Sequence, residues 1–447
     1  MEKINIPEKV NQIIGVLEGN GYEAYAVGGC VRDIFLGREP ADWDITTSAS
    51  PLQVKALFKR TIDTGIQHGT VTVMLENEGF EVTTYRVDGI YEDCRHPSQV
   101  QFTKSLLEDL KRRDFTINAM AYNESMGLVD AFDGMGDLRR GMIRCVGNAE
   151  ERFTEDALRM LRAVRFGAQL GFSLHEDTRR AIVNLHQNLS LVSAERIQAE
   201  LVKLIVSPHP EQIKDVYKTG MTHVFLPEFD ACMACGQNNP HHIYSVGEHT
   251  IHALMKTPAD KILRLCILFH DFGKPLVKTT GEDGIDHFHG HQTVSAELAR
   301  KALKRLKFDN DTIRQVEKLV YYHDYHPALT PAGVRKALNR IGEDLFSMYL
   351  SVQQADILAQ SPKTQGPKLA AVKEMRRLYE QILIEQDCVT LKQLRITGRD
   401  LMAVGIPAGP KLGEILHTLL EKVILEPAYN QKEWLLVEAV KIYKKAE

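Results

Sequence analysis

The fold is decided by the stretch Tyr25-Ala26-Val27-Gly28-Gly29-Cys30-Val31-Arg32-Asp33 and, shortly after it, Asp42-Trp43-Asp44. The apolar run from Tyr22 to Val27 predicts a strand, and the residues after the two glycines predict a short helix with Arg32 near its start. Glycines at such a turn let the backbone approach a phosphate, which the N–H groups at a helix start attract. This stretch therefore predicts a phosphate-binding turn.

The acidic pair Asp42 and Asp44 stands at positions i and i+2. If Trp43 to Thr46 form a strand, both carboxylates point to one face, which suits two Mg²⁺ ions bridging a nucleoside triphosphate. A lone glycine pair is more often a plain turn and a lone acidic pair a solvated loop, but the two together favour a nucleotidyltransferase. Glu81, on a later predicted strand, is either a third carboxylate for the same ions or a solvent-facing glutamate.

Length and composition are those of a globular protein with several domains. The chain has 447 residues, 44% of them hydrophobic and 26% charged, enough for about three domains with sizeable cores. Its net charge of −4 excludes a global basic field, so any nucleic-acid surface must be a local patch. Seven cysteines without framework spacing indicate reduced thiols in a cytoplasmic protein. No apolar run approaches the ~20 residues of a membrane helix and the N-terminus lacks a signal-peptide core, so we expect no membrane partner.

The rest of the first region reads as an α/β domain. Apolar residues at helical spacing predict a helix within 1–21, and another helix is predicted to begin at Ser50-Pro51. Alternating β-branched residues at 70–75 and 80–85 predict paired strands in a mixed or antiparallel sheet. A long polar loop at 86–104 is expected to act as a lid, because long ordered loops in compact domains are often functional.

Basic residues recur in the middle of the chain. The cluster Lys111-Arg112-Arg113-Asp114 suits phosphates or a ribose hydroxyl, or it is a solvated helix end. Further on, a helix is predicted at 154–166 with Thr154 as its N-cap, and another at 193–206. The first of these carries a charged residue at every third position, at Asp156, Arg159, Arg162 and Arg165. Neighbours in that series share a slowly drifting face, which is either functional or only capping and solvation.

Histidine and aspartate residues cluster between positions 240 and 360. The set comprises His249, His270-Asp271, His287, His289, His291, His323-Asp324 and Asp356. The apolar run from Ile262 to Phe269 places His270-Asp271 at a helix end. Such clusters on helices make divalent-metal sites, although any single histidine is more often a core or surface residue. The density of the set leaves the two interpretations evenly balanced.

The C-terminal region is set off by a predicted linker. The segment 361–367 contains Ser, Gly and two Pro residues, which are typical of a chain break. From Ser361 onward there are 14 Lys and Arg residues against 11 Asp and Glu, so this helical region is mildly basic. A local basic surface is what RNA requires in a chain of negative net charge.

Together these residues resemble the class II CCA-adding tRNA nucleotidyltransferases, within the superfamily that includes bacterial poly(A) polymerases. The resemblance covers nearly the whole chain, and its motifs are jointly highly specific. In chain order they are Gly28-Gly29-Cys30-Val31-Arg32-Asp33 with Asp42-Trp43-Asp44, then Arg112-Arg113-Asp114-Phe115-Thr116-Ile117-Asn118-Ala119-Met120-Ala121, then Phe132-Asp133-Gly134 through Asp137-Leu138 to Ile143-Arg144, then Glu155-Asp156-Ala157-Leu158-Arg159 with Arg162 and Arg165, and last Ser193-Ala194-Glu195-Arg196-Ile197.

The resemblance implies an α+β fold, with a nucleotidyltransferase head on a small mixed or antiparallel sheet and an all-helical neck, body and tail. We expect the catalytic head at 1–145, a base-selecting neck at 146–206, an HD-like body at 207–360 and a tRNA-binding tail at 361–447. The HD-type body implies a metal site, made by His249, His270, Asp271 and Asp356. Whether that site holds a transition metal such as Ni²⁺ or Mn²⁺, and whether it is hydrolytic, stays open.

The reaction that the resemblance implies is template-independent addition of CCA to the 3′ end of tRNA from CTP and ATP, with release of pyrophosphate. Asp42 and Asp44 would hold two Mg²⁺ ions. The residues expected to bind the nucleotide are Gly29, Arg32, Arg113, Asp156, Arg159, Arg162 and Arg165. Within this set, Asp156 accepts from the exocyclic amine that cytosine and adenine share, and Arg159 donates to the neighbouring ring nitrogen.

Several alternatives remain. An A-adding enzyme or a poly(A) polymerase would use the same chemistry, but the tail is short and only mildly basic. A CC-only enzyme is disfavoured because the loop from Tyr85 to Pro97 looks complete. An HD phosphohydrolase acting on RNA ends would need the head only to bind RNA, and a broken acidic pair would favour it. The sequence leaves open whether all three nucleotides are added, the role of Glu81 and the oligomeric state.

Overall fold

The structure, a computed structural model, describes residues 4–89, 100–240 and 242–445, with only the backbone of Asp88. Most of the loop expected to act as a lid, and His241, lie outside these residues. The chain forms two compact units. The first runs to Asp230 and includes Arg305–Lys307, and the second holds the rest of the chain from Ala231.

The first unit is built on a seven-stranded mixed sheet with two small strand pairs beside it. Its strands are β1 (Ala24–Val27), β2 (Asp44–Thr47), β3 (Thr61–Gly65), β4 (Thr70–Leu75), β5 (Glu78–Thr84), β6 (Arg86–Asp88), β7 (Val100–Phe102), β8 (Met120–Asn123), β9 (Gly127–Asp130), β10 (Met142–Ile143) and β11 (Ser173–Leu174). The sheet order is β3-β4-β5-β2-β1-β8-β9, in which β2 and β5 pair in parallel and the other neighbours are antiparallel. The expected sheet is therefore confirmed, and of the two kinds that the sequence left open, mixed or antiparallel, it is mixed.

Helices cover the sheet and form the rest of this part of the chain. They are α1 (Glu8–Gly19), α2 (Gly29–Phe35), α3 (Pro51–Leu57), α4 (Leu106–Lys111), α5 (Gly134–Arg140), α6 (Ala149–Glu155), α7 (Leu158–Leu170), α8 (Glu176–Leu185), α9 (Ala194–Ile205), α10 (Ile213–Lys218), α11 (Met221–Phe225) and α12 (Pro227–Ala234). The first buries Val10, Ile13, Ile14 and Leu17, the residues whose spacing predicted it. The helix α3 begins with a capping box, in which the Ser50 side chain accepts from the backbone of Gln53, and Pro51 takes the first position as expected.

The second unit is helical apart from one two-stranded ribbon. Its helices are α13 (Val246–Lys256), α14 (Lys261–Phe269), α15 (Lys274–Val277), α16 (His291–Arg305), α17 (Asn310–Tyr322), α18 (Pro331–Ile341), α19 (Glu343–Leu358), α20 (Pro362–Glu385), α21 (Gly398–Ala403), α22 (Pro410–Leu425) and α23 (Lys432–Lys445), and its ribbon pairs β12 (Thr279–Thr280) with β13 (Asp286–His287). The sequence predicted an all-helical neck, body and tail. The ribbon and the strand β11 depart from that prediction. No helix in the described part of the chain is both long and apolar enough to span a membrane.

The prediction of one helix at 154–166 is wrong at its N-terminal end. Two helices stand there, because α6 ends at Glu155 and α7 begins at Leu158. Asp156 between them has an extended backbone, with φ −142° and ψ 102°. Thr154 is therefore inside the last turn of α6, where its hydroxyl donates to the carbonyl of Glu150 at 2.8 Å, and it is not an N-cap.

The linker predicted at 361–367 is also wrong, since this segment is the start of the 24-residue helix α20. Pro362 occupies the first helical position, where a missing N–H costs nothing, and α20 packs against α18 and α19. Buried Arg335 of α18 joins the regions on either side of the expected boundary. Its guanidinium pairs with Asp387 at 2.8 Å and donates to the carbonyl of Ile424 at 2.6 Å. The division into four domains stays a prediction.

Candidate active site

A glycine turn joins β1 to α2, as the sequence predicted. Gly28 has a φ of +81°, and a Cβ built there would lie 2.8 Å from Nη1 of Arg113. Its N–H donates to the carbonyl of Met120 on β8 at 3.0 Å. The turn needs glycine both for its backbone conformation and for the guanidinium packed against it.

Three exposed carboxylates lie beside this turn, those of Asp42, Asp44 and Glu81. The strand β2 begins only at Asp44, so strand geometry does not place Asp42, contrary to the expectation that one strand would carry both. Asp44 is instead the register partner of Glu81 on the parallel strand β5, so these two side chains share a face. Although the residue is exposed, the protein around the Asp44 carboxyl excludes part of its water, which raises its pKa; Arg113 opposes this rise, and the charges of Glu81 and Asp42 add to it. Mutual repulsion of this kind is what a divalent cation relieves.

Asp109 is a buried acid next to the candidate site that sequence reasoning missed. It is fully buried and accepts from Nε of Arg112 at 2.9 Å and from the Thr46 hydroxyl at 3.1 Å, and Nη2 of Arg113 lies 3.6 Å away. Burial alone would raise the pKa of Asp109, but the two guanidinium groups hold it below its usual value. Nε of Arg113 is buried and has no hydrogen-bond partner within the described residues. Asp109 lies on α4, and Arg113 follows two residues after the helix ends at Lys111, so helical spacing alone does not predict this contact.

Arg162 and Arg165 of α7 are held by buried carboxylates and do not form a solvated face. Arg162 binds Oδ2 of Asp114 through Nε at 3.0 Å and Nη2 at 2.6 Å. Burial would raise the pKa of Asp114, but Arg162 brings it to about 2. Arg165 binds Glu200 of α9 at 2.8 Å, and both side chains are less than a tenth exposed. Glu200 is a second residue that sequence reasoning missed, because the contact spans 35 residues.

Three arginines of the expected nucleotide set meet on the ring of Phe166. The guanidinium carbons of Arg165, Arg32 and Arg162 lie 3.5, 5.1 and 5.3 Å from its centroid. Nη1 of Arg32 also donates to Oδ1 of Asn118 at 2.7 Å. Such cation–π contacts keep several positive charges close together. In the sequence, nothing distinguishes Phe166 from an ordinary core phenylalanine.

The sequence predicted that Asp156 and Arg159 lie three residues apart on one helix, but Asp156 precedes α7. Its Oδ1 accepts from the backbone N–H two residues further on at 3.1 Å, and its Oδ2 from Nη2 of Arg196 at 2.7 Å. Arg159 binds Glu155 at 2.6 Å and the carbonyl of Arg112 at 3.1 Å. Both residues are therefore already engaged within the first unit.

A cavity of about 650 Å³ brings part of the expected site together. Its walls include Gly29, Arg32, Asp42, Asp44 and Arg165. The other expected nucleotide residues lie outside its lining, and they are Arg113, Asp156, Arg159 and Arg162. The cavity thus joins the glycine turn and the acidic pair to one basic residue of α7.

In the second unit, the structure gathers the four residues expected from the HD-type body. Nε2 of His249 lies 2.7 Å from Oδ1 of Asp356, and Nε2 of His270 lies 3.2 Å from Oδ2 of Asp271 and 3.7 Å from Asp356. His270 and Asp271 follow α14 directly, as predicted. Among the described residues, Nε2 of His270 and Oδ1 of Asp271 are buried without hydrogen-bond partners, whereas Oδ2 of Asp271 lies 2.7 Å from Nζ of Lys274. Orphaned donor atoms of this chemistry fit a divalent cation.

Two further histidines of the sequence cluster, His291 and His323, also lie near Asp271. The other two, His287 and His289, do not. His287 and His289 stack on each other with centroids 5.5 Å apart. Asp324 pairs with His326 at 3.4 Å. Groups of three or more ligand atoms within 4.8 Å of one another occur, in the described part of the chain, only around Asp271. The three head carboxylates therefore do not form such a group.

Comparison with protein families finds three matches along the chain. Residues 24–144 match the Poly A polymerase head domain. Residues 171–233 match a family described as a probable RNA and SrmB-binding site of polymerase A. Residues 281–439 match one described as a putative tRNA nucleotidyltransferase domain 2.

Whole proteins match over the full length. A CCA-adding enzyme of Lactobacillus johnsonii is 37% identical over 447 residues, covering 98% of this chain and 98% of that protein. The crystal structure of the Bacillus stearothermophilus CCA-adding enzyme in complex with CTP is similar with a TM-score of 0.73 and 31% identity, covering 98% and 97% of the two chains. The Thermotoga maritima CCA-adding enzyme complexed with tRNA has a TM-score of 0.60 and 19% identity over 98% and 96%, a likeness of fold alone.

Proposed function

Because this chain belongs to the CCA-adding enzyme family, we infer that it adds CCA to the 3′ end of tRNA, using CTP and ATP. The inference rests on the 37% identity that extends over 98% of both chains. The head cavity, with its glycine turn and acidic pair, is where a nucleoside triphosphate fits. tRNA, CTP and ATP are its partners, and the described residues hold no membrane-spanning helix.

Nucleotidyltransferases of this family are metal-dependent in general, and we propose that Asp42 and Asp44 hold two Mg²⁺ ions. Glu81 is in register to assist Asp44. When bound, the ions supply Lewis-acid chemistry, which lowers the pKa of the 3′-hydroxyl and neutralises the leaving pyrophosphate. The carboxylates orient the ions, and the backbone at Gly29 with Arg32 positions the phosphates.

Arg113 is the proposed clamp on the nucleotide, because its Nε is buried without a partner in the described residues. Asp109 pairs with this guanidinium, because its Oδ2 lies 3.6 Å from Nη2 of Arg113. Arg165 brings positive charge to the lining of the cavity, and Arg162 shares the ring of Phe166 with it. Glu200 and Asp114 keep these two arginines in place. We assign the three arginines to binding the nucleotide, and the carboxylates that pair with them to orienting these arginines, rather than to proton transfer.

Base selection is proposed for Asp156 and Arg159. Each oxygen of Asp156 accepts one hydrogen bond, and a carboxylate oxygen has two lone pairs. Asp156 can therefore accept from the exocyclic amine of cytosine or adenine without releasing Arg196. Uracil and guanine present a carbonyl at that place, which a carboxylate repels.

The acidic pair is tested by Asp42→Ala and Asp44→Ala with Asp63→Ala as the control, since Asp63 is an exposed aspartate on β3 of the same sheet. Transcripts of tRNA that end before CCA, after C and after CC are incubated with each labelled nucleotide. Both site variants should lose incorporation of C and of A alike, while filter binding of tRNA and the control enzyme stay unchanged. Loss of only one nucleotide would contradict a shared metal site.

The second unit favours a further candidate activity. We propose that His249, His270, Asp271 and Asp356 hold one transition-metal ion, such as Ni²⁺ or Mn²⁺, and support phosphoester hydrolysis at RNA ends. The supporting observation is that two donor atoms of this set, Nε2 of His270 and Oδ1 of Asp271, are buried without hydrogen-bond partners in the described residues. We also propose that the protein works in the cytoplasm, where the six cysteines that the structure describes as free would stay reduced.

A further inference from the structure

The cavity of about 650 Å³ in the first unit is lined by two cations outside the expected nucleotide set. Arg38 lies in the loop after α2, and Lys203 lies near the end of α9. Nη1 of Arg38 donates to the carbonyl of Gln169 near the end of α7 at 3.3 Å, and α7 packs against α9. Two cationic side chains from distant segments of the chain therefore meet at this one cavity.

The carboxylate nearest to Lys203 is already engaged by other cations. Nζ of Lys203 lies 3.9 Å from Oε1 of Glu200, beyond hydrogen-bond distance. Oε2 of Glu200 binds Nε of Arg165 at 2.8 Å, and Nη1 of Arg162 lies 4.0 Å from Oε1. Arg162 has Asp114 as a second partner, so Lys203 is the cation that this cluster compensates least. Its side chain is 55% exposed, which leaves the ammonium accessible from the cavity.

Arg38 binds a neutral group, because the backbone carbonyl that accepts from it carries no net charge. The acids of the cavity lining are Asp33, Glu39, Asp42 and Asp44. Asp33 pairs with Arg32 at 2.8 Å, and the acidic pair is assigned to the ions. Glu39 is the acid that remains, and it stands against two cations, Arg38 and Lys203. This wall of the cavity is therefore positive.

A triphosphate with its ions still needs positive charge of this kind. Two Mg²⁺ ions held by two carboxylates do not fully neutralise the phosphates of a nucleoside triphosphate. When the bond to the α-phosphate breaks, negative charge builds up on the β- and γ-phosphates, which leave as pyrophosphate. Ammonium and guanidinium groups bind phosphate oxygens through charge-assisted hydrogen bonds.

We propose that Lys203 and Arg38 bind the β- and γ-phosphates of the incoming nucleotide and the pyrophosphate that leaves. The proposal rests on the proposed function, since it places these phosphates in the same cavity. The tRNA backbone also offers phosphates, but each phosphodiester carries a single charge, whereas terminal phosphates carry more. Two cations at one cavity that also contains the ion ligands suit the more highly charged group.

Binding of pyrophosphate to the full chain tests the proposal without relying on catalysis. Calorimetry with Mg²⁺ present compares pyrophosphate with CMP, which lacks terminal phosphates. Lys203→Gln and Arg38→Gln should each weaken pyrophosphate binding about tenfold and leave CMP binding unchanged, and Lys203→Arg should restore most of the loss. The control is Lys218→Gln, at an exposed lysine in the last turn of α10, which should bind both ligands as the wild type does.

The two probes separate phosphate binding from a structural role. Pyrophosphate binding that neither variant changes would overturn the proposal. An equal loss for CMP would show that Lys203 acts through its neighbour Glu200 and the arginines that Glu200 holds, and would overturn it as well. A loss in only one of the two folded variants would overturn the assignment of the other residue. Because Lys203 and Arg38 lie on different elements, misfolding of one variant leaves the other as a test.

Initial rates on tRNA transcripts distinguish the terminal phosphates from the tRNA backbone. Lys203→Gln should raise KM for CTP and ATP alike and the inhibition constant of pyrophosphate, with KM for tRNA and the preference for CTP over UTP unchanged. A raised KM for tRNA with unchanged pyrophosphate inhibition would assign Lys203 to the tRNA backbone and overturn the proposal. A wild type that binds pyrophosphate through Lys203 but adds no nucleotide would overturn the proposed function and leave this phosphate site standing.

Discussion

Replacing Asp156 by asparagine separates base reading from helix capping at a single position. The carboxylate accepts from the N–H that opens α7 at 3.1 Å and from Arg196 at 2.7 Å. Asparagine caps helices as well as aspartate does, so its one oxygen keeps the first bond and the pair with Arg196 is lost. The new NH₂ group is a donor, and it can bond the carbonyl of uracil that the carboxylate repels.

The expected magnitude follows from the hydrogen bonds exchanged. Leaving one polar group unpaired in a closed site costs about 1–3 kcal/mol, which corresponds to roughly 5- to 150-fold in kcat/KM. Asp156→Asn should therefore lower the preference for CTP over UTP within that range. The change in melting temperature should be small, because the cap survives and the pair with Arg196 is only partly buried.

The assay is kcat/KM for CTP, ATP and UTP on a tRNA that ends before CCA, together with the melting temperature. Asp309→Asn is the matched control, because Asp309 also caps a helix and pairs with a lysine, at 3.4 Å. The control should keep its nucleotide preference. An Asp156→Asn enzyme with an unchanged preference for CTP over UTP would refute base reading and leave Asp156 as a cap alone.

Three further changes test other parts of the molecule. Gly28→Ala should lower the free energy of unfolding by about 1–3 kcal/mol, and it should also lower kcat/KM, because the new Cβ lies 2.8 Å from a guanidinium nitrogen of Arg113. The control is Gly21→Ala, at a φ of +83° with open space around it, which should lower stability alone. Asp114→Asn should make the free energy of unfolding fall less steeply as the pH is lowered. The Asp114 carboxylate, with its pKa at about 2, stabilises the fold above its unfolded pKa of about 3.9, and it loses this effect as the pH falls towards 2. A parallel acid titration that matches the wild type would contradict this. His270→Ala with Asp271→Ala should keep CCA addition and abolish metal-dependent phosphoester cleavage, and a folded double variant without CCA addition would refute the separation of the two sites.

Local patterns in the sequence predicted those elements whose determinants are close in the chain. The helix α1 was evident from four apolar residues at helical spacing, and α3 from Ser50 and Pro51 at its start. The turn at Gly28 could be recognised because two glycines follow an apolar run, and the φ of +81° found there is one that favours glycine. The residue types of the active site were also predictable, since phosphate and magnesium chemistry admits few alternatives.

Predictions failed where a local signal competed with contacts formed far away in the chain. Two prolines and a glycine indicated a linker at 361–367, but packing against α18 and α19 makes this segment a helix. The charge period through Asp156 indicated a continuous helix, but Arg196, 40 residues later, binds that carboxylate outside the helix.

The sequence by itself determined the family, the presence of a sheet in the head and the residue types of both candidate centres, because periodicity, capping and glycine turns act over a few residues. Only the tertiary structure decided which charges are buried together. Asp109 under Arg113, Glu200 under Arg165 and Asp271 between four histidines are set by packing between distant elements. A buried charge needs a partner within a few ångströms, and that partner is chosen by the fold and not by its distance along the chain.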